Sequence, residues 1–406
     1  MTDVKSLRLA HRISQIQPSP TMAVMAEAMR LTAKGVDVVD FSAGQPDFPT
    51  PEHIKLSGEK AIADNFTRYT PNPGTPELRQ AVADRYREDY GLEFESSGVI
   101  ITSGGKHALL NLMLSLVDAG DEVVIPTPYW GTFAEQVRLA GGEPVFVATS
   151  EDDGFRMTAD VIAPAITDRT RILLLNFPAN PTGAVIGDQE IRALGNLIEA
   201  RDTFFLWDDT YARLMFEPAP AAAFRYLQQL LGDRFLIAGT ASKAYAMTGW
   251  RIGWAMGPEA IIQACGALPS QMTSNASSIS QKAALTALKS DQSARADMIE
   301  EYKWRANRLR EALLEIPGVR CGMPGGGFYL FPNVSHYLRP GKNMTETTTE
   351  LAAELLSEVR VAVVPGLAFG CEGHLRVSFA CSREVIEEGI RRLQRFFLAR
   401  AARTDS

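Results

Sequence analysis

The chain has 406 residues, of which 46% are hydrophobic and 22% charged, and its formal net charge is −7. A chain of this length exceeds one ordinary hydrophobic core and predicts two to three domains. The mild negative charge argues against nucleic acid as a partner, because phosphate backbones select for clustered Lys and Arg.

The cysteines, histidines and N-terminal residues exclude further classes. The four cysteines and five histidines are scattered, without C-x-x-C or H-E-x-x-H spacing. This predicts reduced thiols, and neither a disulfide framework nor a metal site. The first twenty residues lack the apolar core of a signal peptide, and no run of 18 apolar residues could span a membrane. We therefore predict a cytoplasmic protein that contacts no membrane.

Between residues 99 and 257, short apolar runs alternate with helical patterns. Runs that are nearly continuous in apolar residues are typical of strands covered on both faces. The alternation predicts an α/β fold with a mainly parallel sheet and helices on both sides. The candidate strands are Val99–Thr102, Glu122–Pro126, Pro144–Ala148, Arg171–Asn176, Thr203–Trp207 and Arg234–Ala238. The helical patterns between them include Lys106–Val117, Gly131–Ala140 and Asp188–Ala200.

The C-terminal part has a different pattern, which we interpret as a smaller α+β domain joined by the N-terminal segment. The predicted division is a large domain of residues 48–295 and a small domain of residues 1–47 and 296–406. Helical patterns occur at Asp291–Glu315 and Arg383–Ala401. The short strand patterns between them are Gly327–Phe331, Ala362–Val364 and Leu375–Ser378.

In open α/β sheets, ligands bind beyond the carboxyl ends of the strands, so the residues after each strand are of interest. Val99–Thr102 runs into Ser103, Gly104, Gly105 and Lys106 and then into a helix. Two glycines at such a turn let backbone N–H groups approach an oxyanion, although a tight turn before an ordinary helix is the alternative. The P-loop and dinucleotide fingerprints are absent, which argues against a nicotinamide dehydrogenase.

The strand Thr203–Trp207 ends in Asp208 and Asp209. A carboxylate beside apolar surface is costly unless a cation lies next to it. The protonated nitrogen of a pyridine ring is a suitable cation for Asp208. The alternative role is that of a helix N-cap, which Asp fills well.

Lys243 lies in a loop of apolar and hydroxyl-bearing residues after Arg234–Ala238. Lysine shifts its pKa readily when desolvated, which suits Schiff-base chemistry; a solvated loop lysine is the alternative. Thr240, Ser242 and Arg251 could bind a phosphate through two hydroxyls and a guanidinium fork.

Arg376 lies between apolar neighbours in the predicted strand Leu375–Ser378. An inward-facing arginine requires a carboxylate, and its planar fork binds one in a bidentate manner. Either a substrate carboxylate or a structural salt bridge meets this requirement.

The segment from Gly239 to Gly253 resembles the lysine signature of class I aminotransferases, which are pyridoxal 5′-phosphate (PLP) enzymes of fold type I. It departs from that signature at Thr240, where the family usually carries Gly or Ser, and threonine keeps the hydroxyl. The resemblance covers most of the chain and extends to the bacterial aspartate aminotransferase subgroup, which also includes prephenate aminotransferases. The other motifs that carry it are Gly44–Phe48 (GQPDF), Tyr69, Asn176–Gly183 (NFPANPTG) and Val364–Gly366.

The resemblance implies how the chain would hold PLP. Lys243 would form a Schiff base with the cofactor and move the proton between substrate and cofactor. Asp208 would keep the pyridine nitrogen protonated, which makes the ring an electron sink. Trp130 would stack on the ring and Tyr211 would hydrogen-bond the phenolate oxygen, although either aromatic could instead be a core residue. The remaining implied cofactor contacts are Asn180 at the phenolate oxygen and Gly104, Gly105, Lys106, Thr240, Ser242 and Arg251 around the phosphate.

The resemblance also implies the substrate contacts. Arg376 would bind the α-carboxylate with help from Asn180, and Gly44 and Trp130 would complete this part of the site. Lys106 would bind the distal carboxylate of an acidic substrate, or else lie at the edge of the phosphate site without touching substrate.

Two further segments have implied roles. Ser19-Pro20-Thr21 resembles the mobile N-terminal segment that closes over the substrate in the family. Tyr69 would reach the phosphate in the neighbouring subunit, which implies a homodimer with shared active sites.

The leading hypothesis is therefore a ping-pong aminotransferase that passes the amino group of L-aspartate, or a similar amino acid, to 2-oxoglutarate. The same residues could serve glutamate with prephenate, or aromatic or kynurenine-type substrates. A PLP lyase of the same fold, such as a C–S lyase or an aminocyclopropane carboxylate synthase, would break a different substrate bond. A PLP-sensing transcription regulator would need an additional DNA-binding domain, and we expect no room for one before Gly44.

Overall fold

The computed structural model describes residues 10, 13–14, 16–17, 20–338 and 347–404. Its strands are β1 (Val39–Asp40), β2 (Val99–Thr102), β3 (Glu122–Thr127), β4 (Glu143–Ala148), β5 (Thr170–Asn176), β6 (Phe204–Asp208), β7 (Phe235–Thr240), β8 (Gly253–Met256), β9 (Tyr329–Leu330), β10 (Val361–Ala362), β11 (Val364–Pro365) and β12 (Leu375–Ser378). Its helices are α1 (Pro20–Ala33), α2 (Glu52–Ala63), α3 (Pro76–Tyr90), α4 (Gly105–Leu116), α5 (Thr132–Ala140), α6 (Ala159–Ile162), α7 (Asp188–Glu199), α8 (Ala221–Leu231), α9 (Glu259–Met272), α10 (Ser278–Lys289), α11 (Ser293–Leu314), α12 (Thr348–Val359) and α13 (Arg383–Thr404).

A seven-stranded sheet in the order β2-β8-β7-β6-β5-β3-β4 forms the centre of the larger part. β8 runs antiparallel to both of its neighbours, β2 and β7. The other strands share one direction, so their carboxyl ends meet at the same edge of the sheet. The prediction of a mainly parallel sheet is confirmed, and all six predicted strands are present with ends that differ by at most two residues.

β8 was not predicted, because its four residues carry a glycine and no distinctive run of β-branched side chains. The strand is stabilised by pairing on both sides, which is a property of the sheet and not of the segment. The predicted strand Ala362–Val364 is also corrected: the structure has two short strands there, β10 and β11, in different sheets.

Side chains of alternate strand residues divide between the two faces of the large sheet, as the pleat requires. Leu173 and Leu175 of β5 belong to one buried cluster, which includes residues of α2, α3, α7, α8 and α10. Ile172 and Leu174 belong to a second cluster, with residues of α4, α5 and α9. Helices therefore cover both faces, as the sequence predicts.

A third buried cluster joins the N-terminal and C-terminal parts of the chain. Val39 and Phe41 pack in it with residues of α11, α12 and α13. Two small sheets lie beside this cluster: the parallel pair β1-β10 and the antiparallel sheet β11-β12-β9. β12 and α13 are where the sequence predicts them, at Leu375–Ser378 and from Arg383 onwards.

The described residues contain neither a candidate membrane span nor a candidate metal site. None of their helices is both long and apolar enough to cross a membrane. No group of three or more His, Cys, Asp or Glu side chains among them is arranged to hold a metal ion.

Candidate active site

A cavity of about 470 Å³ lies at the carboxyl edge of the large sheet. Its walls come from the ends of β5, β6 and β7, the start of α4, the segment after β1, and the small sheet that contains β9 and β12. Nearly all of the predicted site residues line it: Gly44, Gly105, Lys106, Trp130, Asn180, Asp208, Tyr211, Thr240, Ser242, Lys243, Arg251 and Arg376.

Lys243 projects into this cavity from the loop that follows β7. Its Nζ donates a hydrogen bond of 2.6 Å to the backbone carbonyl of Gly44. Burial, together with the positive charges of Arg376 and Arg251, lowers the pKa of Lys243 to about 8. A neutral amine is therefore accessible near physiological pH, unlike that of a solvated lysine.

Asp208 ends β6 and is only 2% exposed. Its Oδ1 accepts hydrogen bonds from the backbone N–H of Thr210 at 3.1 Å and from the Thr210 hydroxyl at 2.6 Å. Burial nevertheless raises the pKa of Asp208 to about 7. The charge of Lys243 offsets this rise only in part, and no ion pair with Asp208 is found among the described residues, so a protonated ring nitrogen would supply a further cation that favours the charged form.

Arg376 of β12 is 2% exposed and meets neutral groups. It donates to Asn180 Oδ1 at 3.1 Å and to the Ser42 carbonyl at 2.9 Å, and its buried Nε has no hydrogen-bond partner among the described residues. The face of its guanidinium lies 4.4 Å from the ring centroid of Tyr329. No structural salt bridge is found for it in the described part of the chain, which leaves its fork suited to a carboxylate ligand.

Gly104 and Arg251 form one side of a small polar cradle at the start of α4. Gly104 has φ +91°, and a Cβ at this position would lie 2.3 Å from Arg251 Nη2. Arg251 is held by the carbonyls of Thr248 at 2.8 Å and Ser103 at 3.4 Å. Gly104 itself does not line the cavity; its missing side chain makes room for the arginine that does.

Thr240 and Ser242 form the other side of this cradle. Their hydroxyls are 2.9 Å apart, and the Thr240 hydroxyl also donates to the Ile252 carbonyl at 2.8 Å. A Cβ on Gly105 would lie 3.2 Å from Thr240 Cβ, so the helix start and the loop after β7 are in close contact. Backbone N–H groups at a helix start, two hydroxyls and a guanidinium are the groups that bind a phosphate.

Lys106 and Trp130 form the wall of the cavity near α5. Lys106 Nζ lies 4.9 Å from the centroid of the Trp130 ring. Burial lowers the pKa of Lys106, and the charge of Arg251 lowers it further. Trp130 packs edge to face on Phe133 of α5, with centroids 5.4 Å apart, while it still lines the cavity.

Tyr211 and Asn180 both line the cavity, and each contacts a residue of the small sheet. The hydroxyl of Tyr211 is 2.9 Å from that of Tyr329, and the amide oxygen of Asn180 accepts from Arg376. The backbone N–H of Asn180 donates to Asn176 Oδ1 at 2.9 Å. Burial raises the pKa of Tyr211 well above its usual value, so its hydroxyl is protonated.

The sequence analysis did not assign six polar residues of the cavity to the site: Gln45, Thr132, Asn176, Thr210, Thr248 and Tyr329. Asn176 and Thr210 lie at or just after the ends of predicted strands, and this position is the signal that could have identified them as site residues. Tyr329 gives no such signal, because nothing in its local sequence shows that its strand lies beside Arg376.

Tyr69 is the predicted site residue that the structure does not bring to the cavity of its own chain. Its side chain is 89% exposed. In the predicted N-terminal segment, Thr21 lines the cavity together with Met22 and Met25 of α1. Ser19 and the side chain of Pro20 lie outside the described residues.

The charges around the cavity are unbalanced. Its lining includes four cationic side chains, Lys106, Lys243, Arg251 and Arg376, and one carboxyl group, Asp208. A partly enclosed cavity with this excess of positive charge attracts anions. Fold and site together define an α/β protein with a basic site for a small anionic ligand.

Comparisons with known proteins identify the family. The family model for aminotransferase class I and II matches residues 36–393. The aspartate aminotransferase of Geobacillus stearothermophilus is 40% identical over 397 residues, which cover 97% of this chain and 100% of the relative. The aspartate/prephenate aminotransferase of Nitrosomonas europaea is 40% identical, with coverage of 95% and 99%.

Solved structures agree with this family. The aspartate aminotransferase from Rhizobium meliloti superposes with a TM-score of 0.90 at 37% identity, covering 96% of this chain and 98% of its own. That of Thermus thermophilus with maleate gives 0.88 at 38% identity, covering 96% and 99%. The chain belongs to the class I and II aminotransferases and is a transaminase of fold type I, which confirms the resemblance seen in its sequence.

Proposed function

We propose that the protein is a PLP-dependent aminotransferase that takes the amino group from L-aspartate, or a similar amino acid, and passes it to 2-oxoglutarate by a ping-pong route. One observation carries this proposal: a lysine of lowered pKa lies in a basic cavity with the buried carboxyl of Asp208 and the buried guanidinium of Arg376. The names of the relatives support aspartate as the donor.

The residues around the cavity fit PLP. Asp208 has a raised pKa and forms no ion pair with any described residue, as expected of a carboxyl group that pairs with a protonated pyridine nitrogen. The cradle of Gly104, Thr240, Ser242 and Arg251 has the donors that a phosphate requires. Lys243 is the side chain that would hold the cofactor covalently.

When bound, PLP supplies an electron sink that stabilises negative charge on the substrate Cα. Arg376 binds the substrate α-carboxylate through its fork, and Asn180 and the Ser42 carbonyl hold that fork in place. The Lys243 amine would then move the proton from the substrate Cα to the cofactor. Its lowered pKa suits this role, because the neutral form is accessible near neutral pH.

Lys106 is the residue that we propose for acidic substrates. It is a further cation in the wall of the cavity, and no carboxylate is found paired with it among the described residues. The distal carboxylate of a bound aspartate could form an ion pair with the Lys106 ammonium group. The aspartate/prephenate relative of Nitrosomonas europaea supports prephenate as a second candidate acceptor, because prephenate also carries two carboxylates.

We further propose a homodimer in which Tyr69 serves the neighbouring active site. An aromatic side chain that is 89% exposed supports a contact with another chain. The division into a domain of residues 48–295 and a domain of residues 1–47 and 296–406 is likewise a proposal, supported by the buried cluster in which Val39 and Phe41 pack mainly with the C-terminal helices.

The test is the visible absorbance spectrum of the purified protein, recorded before and after addition of excess L-aspartate. We expect the band of the lysine-bound cofactor to disappear and the band of pyridoxamine phosphate to grow, and 2-oxoglutarate should reverse the change. Lys243→Ala should show neither the original band nor the response. Absence of any cofactor band in the wild-type protein, even after incubation with PLP, would overturn the proposal.

A further inference from the structure

Tyr329 touches two residues of the site that serve different ligands. It lies in β9, where it is 1% exposed. Its hydroxyl is 2.9 Å from the hydroxyl of Tyr211, the residue proposed to face the cofactor. Its ring centroid is 4.4 Å from the guanidinium carbon of Arg376, the residue proposed to bind the substrate carboxylate.

The small antiparallel sheet explains this double contact. Ser378 of β12 is paired directly with Tyr329 of β9. Arg376 lies two residues before Ser378 and is therefore on the same face of the sheet, within reach of a long side chain on the neighbouring strand. Tyr211, by contrast, follows β6 of the large sheet, so the hydroxyl pair links the two sheets.

Charge decides the direction of the hydroxyl hydrogen bond. Burial raises the pKa of both Tyr211 and Tyr329, so both hydroxyls keep their protons. The positive charge of Arg376 acts in the opposite direction on both residues, but its guanidinium lies over the ring of Tyr329, 4.4 Å from the centroid, and so polarises the Tyr329 O–H bond more. Tyr329 is therefore the better donor of the pair, and its donation leaves the Tyr211 proton available to a group in the cavity.

We propose that Tyr329 is a positioning residue: its hydroxyl donates to Tyr211 and directs the Tyr211 proton towards the anionic oxygen of the cofactor, while its ring holds the guanidinium of Arg376 in place for the substrate carboxylate. This rests on the proposed PLP function. One side chain thus links the cofactor contact to the carboxylate contact. The hydroxyl of Tyr329 serves the first and its ring serves the second, so a substitution can remove one and keep the other.

The test uses Tyr329→Phe, which removes the hydroxyl and keeps the ring on Arg376. The readout is the pH at the midpoint of the titration of the cofactor absorbance band. We expect this midpoint to rise by about half to one pH unit, the size of one hydrogen bond to a hydroxyl, because a weaker Tyr211 donor stabilises the deprotonated form less. KM for the amino donor should change less than about twofold, while kcat falls by about tenfold.

Tyr337→Phe is the matched control. Tyr337 is a buried tyrosine of the same hydrophobic cluster, and its hydroxyl donates to the Pro317 carbonyl at 2.7 Å, away from the cavity. Its removal should leave the midpoint unchanged. The thermal unfolding temperatures of the cofactor-free variants show whether either substitution affects folding.

A double-mutant cycle with Tyr211→Phe decides whether Tyr329 acts through Tyr211. Tyr211→Phe alone should raise the midpoint more than Tyr329→Phe does, and the double variant should show no further rise. A wild-type midpoint in Tyr329→Phe, or additive shifts in the double variant, would overturn the inference. A wild-type protein without a titrating band would instead overturn the proposed PLP function.

Discussion

At the scale of single residues, burial acts in opposite directions on Asp208 and Lys243. It raises the pKa of the carboxyl group to about 7 and lowers that of the amine to about 8, since a low-dielectric site disfavours either charge. Without a cofactor, both groups therefore cost folding stability when they are charged. The residues that the chemistry needs are those that the empty site tolerates least.

This gives a prediction for Asp208→Asn in the cofactor-free chain. The carboxyl titrates at about 7 in the folded chain and near 3.8 when unfolded, so its destabilising effect is full above pH 7 and disappears as the pH falls towards 4. We expect the variant to unfold a few degrees higher than wild type at pH 8 and to lose this advantage towards pH 4. Thermal unfolding at several pH values measures it.

The exposed residue Asp233 provides the control, because Asp233→Asn should change the unfolding temperature little at any pH. In the presence of PLP the wild-type protein should instead unfold at the higher temperature, since Asp208→Asn removes the proposed partner of the ring nitrogen and weakens cofactor binding. A variant that is less stable than wild type at pH 8 without cofactor would contradict the assigned cost of Asp208.

At the scale of elements, the site depends on how closely β8 and the start of α4 approach each other. A Cβ on Gly253, the first residue of β8, would lie 2.4 Å from the backbone nitrogen of Gly105 and 2.8 Å from the Gly239 carbonyl. These are backbone atoms, which cannot move aside as a flexible side chain would. The proposed phosphate cradle is therefore formed by strand and helix packing, and not by one loop.

We accordingly expect Gly253→Ala to weaken PLP binding by at least tenfold and to destabilise the protein by about 1–3 kcal/mol, the usual cost of overpacking. Gly249→Ala is the matched control in the same segment, because a Cβ there meets nothing within 4 Å. Spectroscopic titration with PLP and thermal unfolding measure the two effects. Equal PLP affinity in both variants would contradict this account of the cradle.

In the proposed function, the first turn of α4 also sets substrate preference through Lys106. We expect Lys106→Ala to lower kcat/KM for aspartate and glutamate by about 10–100-fold, the size of a lost charge-assisted hydrogen bond. Alanine and phenylalanine as donors are the internal control and should lose much less. An equal loss for all donors would show that Lys106 serves the cofactor or the fold.

At the scale of the whole molecule, the cavity lies where the part built on the large sheet meets the part that contains the small antiparallel sheet. Lys243 of the large sheet contacts the Gly44 carbonyl, and Asn180 contacts Arg376 of the small sheet. A displacement of one part relative to the other would therefore change the amine, the carboxylate fork and their spacing together. In the proposed homodimer, Tyr69 would extend the same principle to a second chain.

Mixed dimers test the assignment of Tyr69. Each chain has a mass of 44.4 kDa, and the proposed homodimer should therefore sediment with twice this mass. Tyr69→Ala and Lys243→Ala should each be nearly inactive alone. Combined by unfolding and refolding, they should recover about one quarter of wild-type activity, because each mixed dimer then has one site with both residues intact. No recovery in demonstrated mixed dimers would place Tyr69 at its own chain's site.

The sequence by itself determined the strands of the large sheet, the lysine loop and most of the cavity lining. These features depend on local pattern: apolar runs that end in polar residues, and glycines and hydroxyls at fixed spacing around Lys243. Neighbouring parallel strands bring their carboxyl ends to one edge, so residues after each strand could be expected to meet.

Only the tertiary structure decided which distant residues touch. β8 is a strand because it has partners on both sides, and Gly253 is required because a helix start lies against it. Tyr329 and Tyr211 are 118 positions apart and meet because β9 pairs with β12 beside the end of β6. Such contacts follow from strand order and from packing between sheets, which no local pattern of residues encodes.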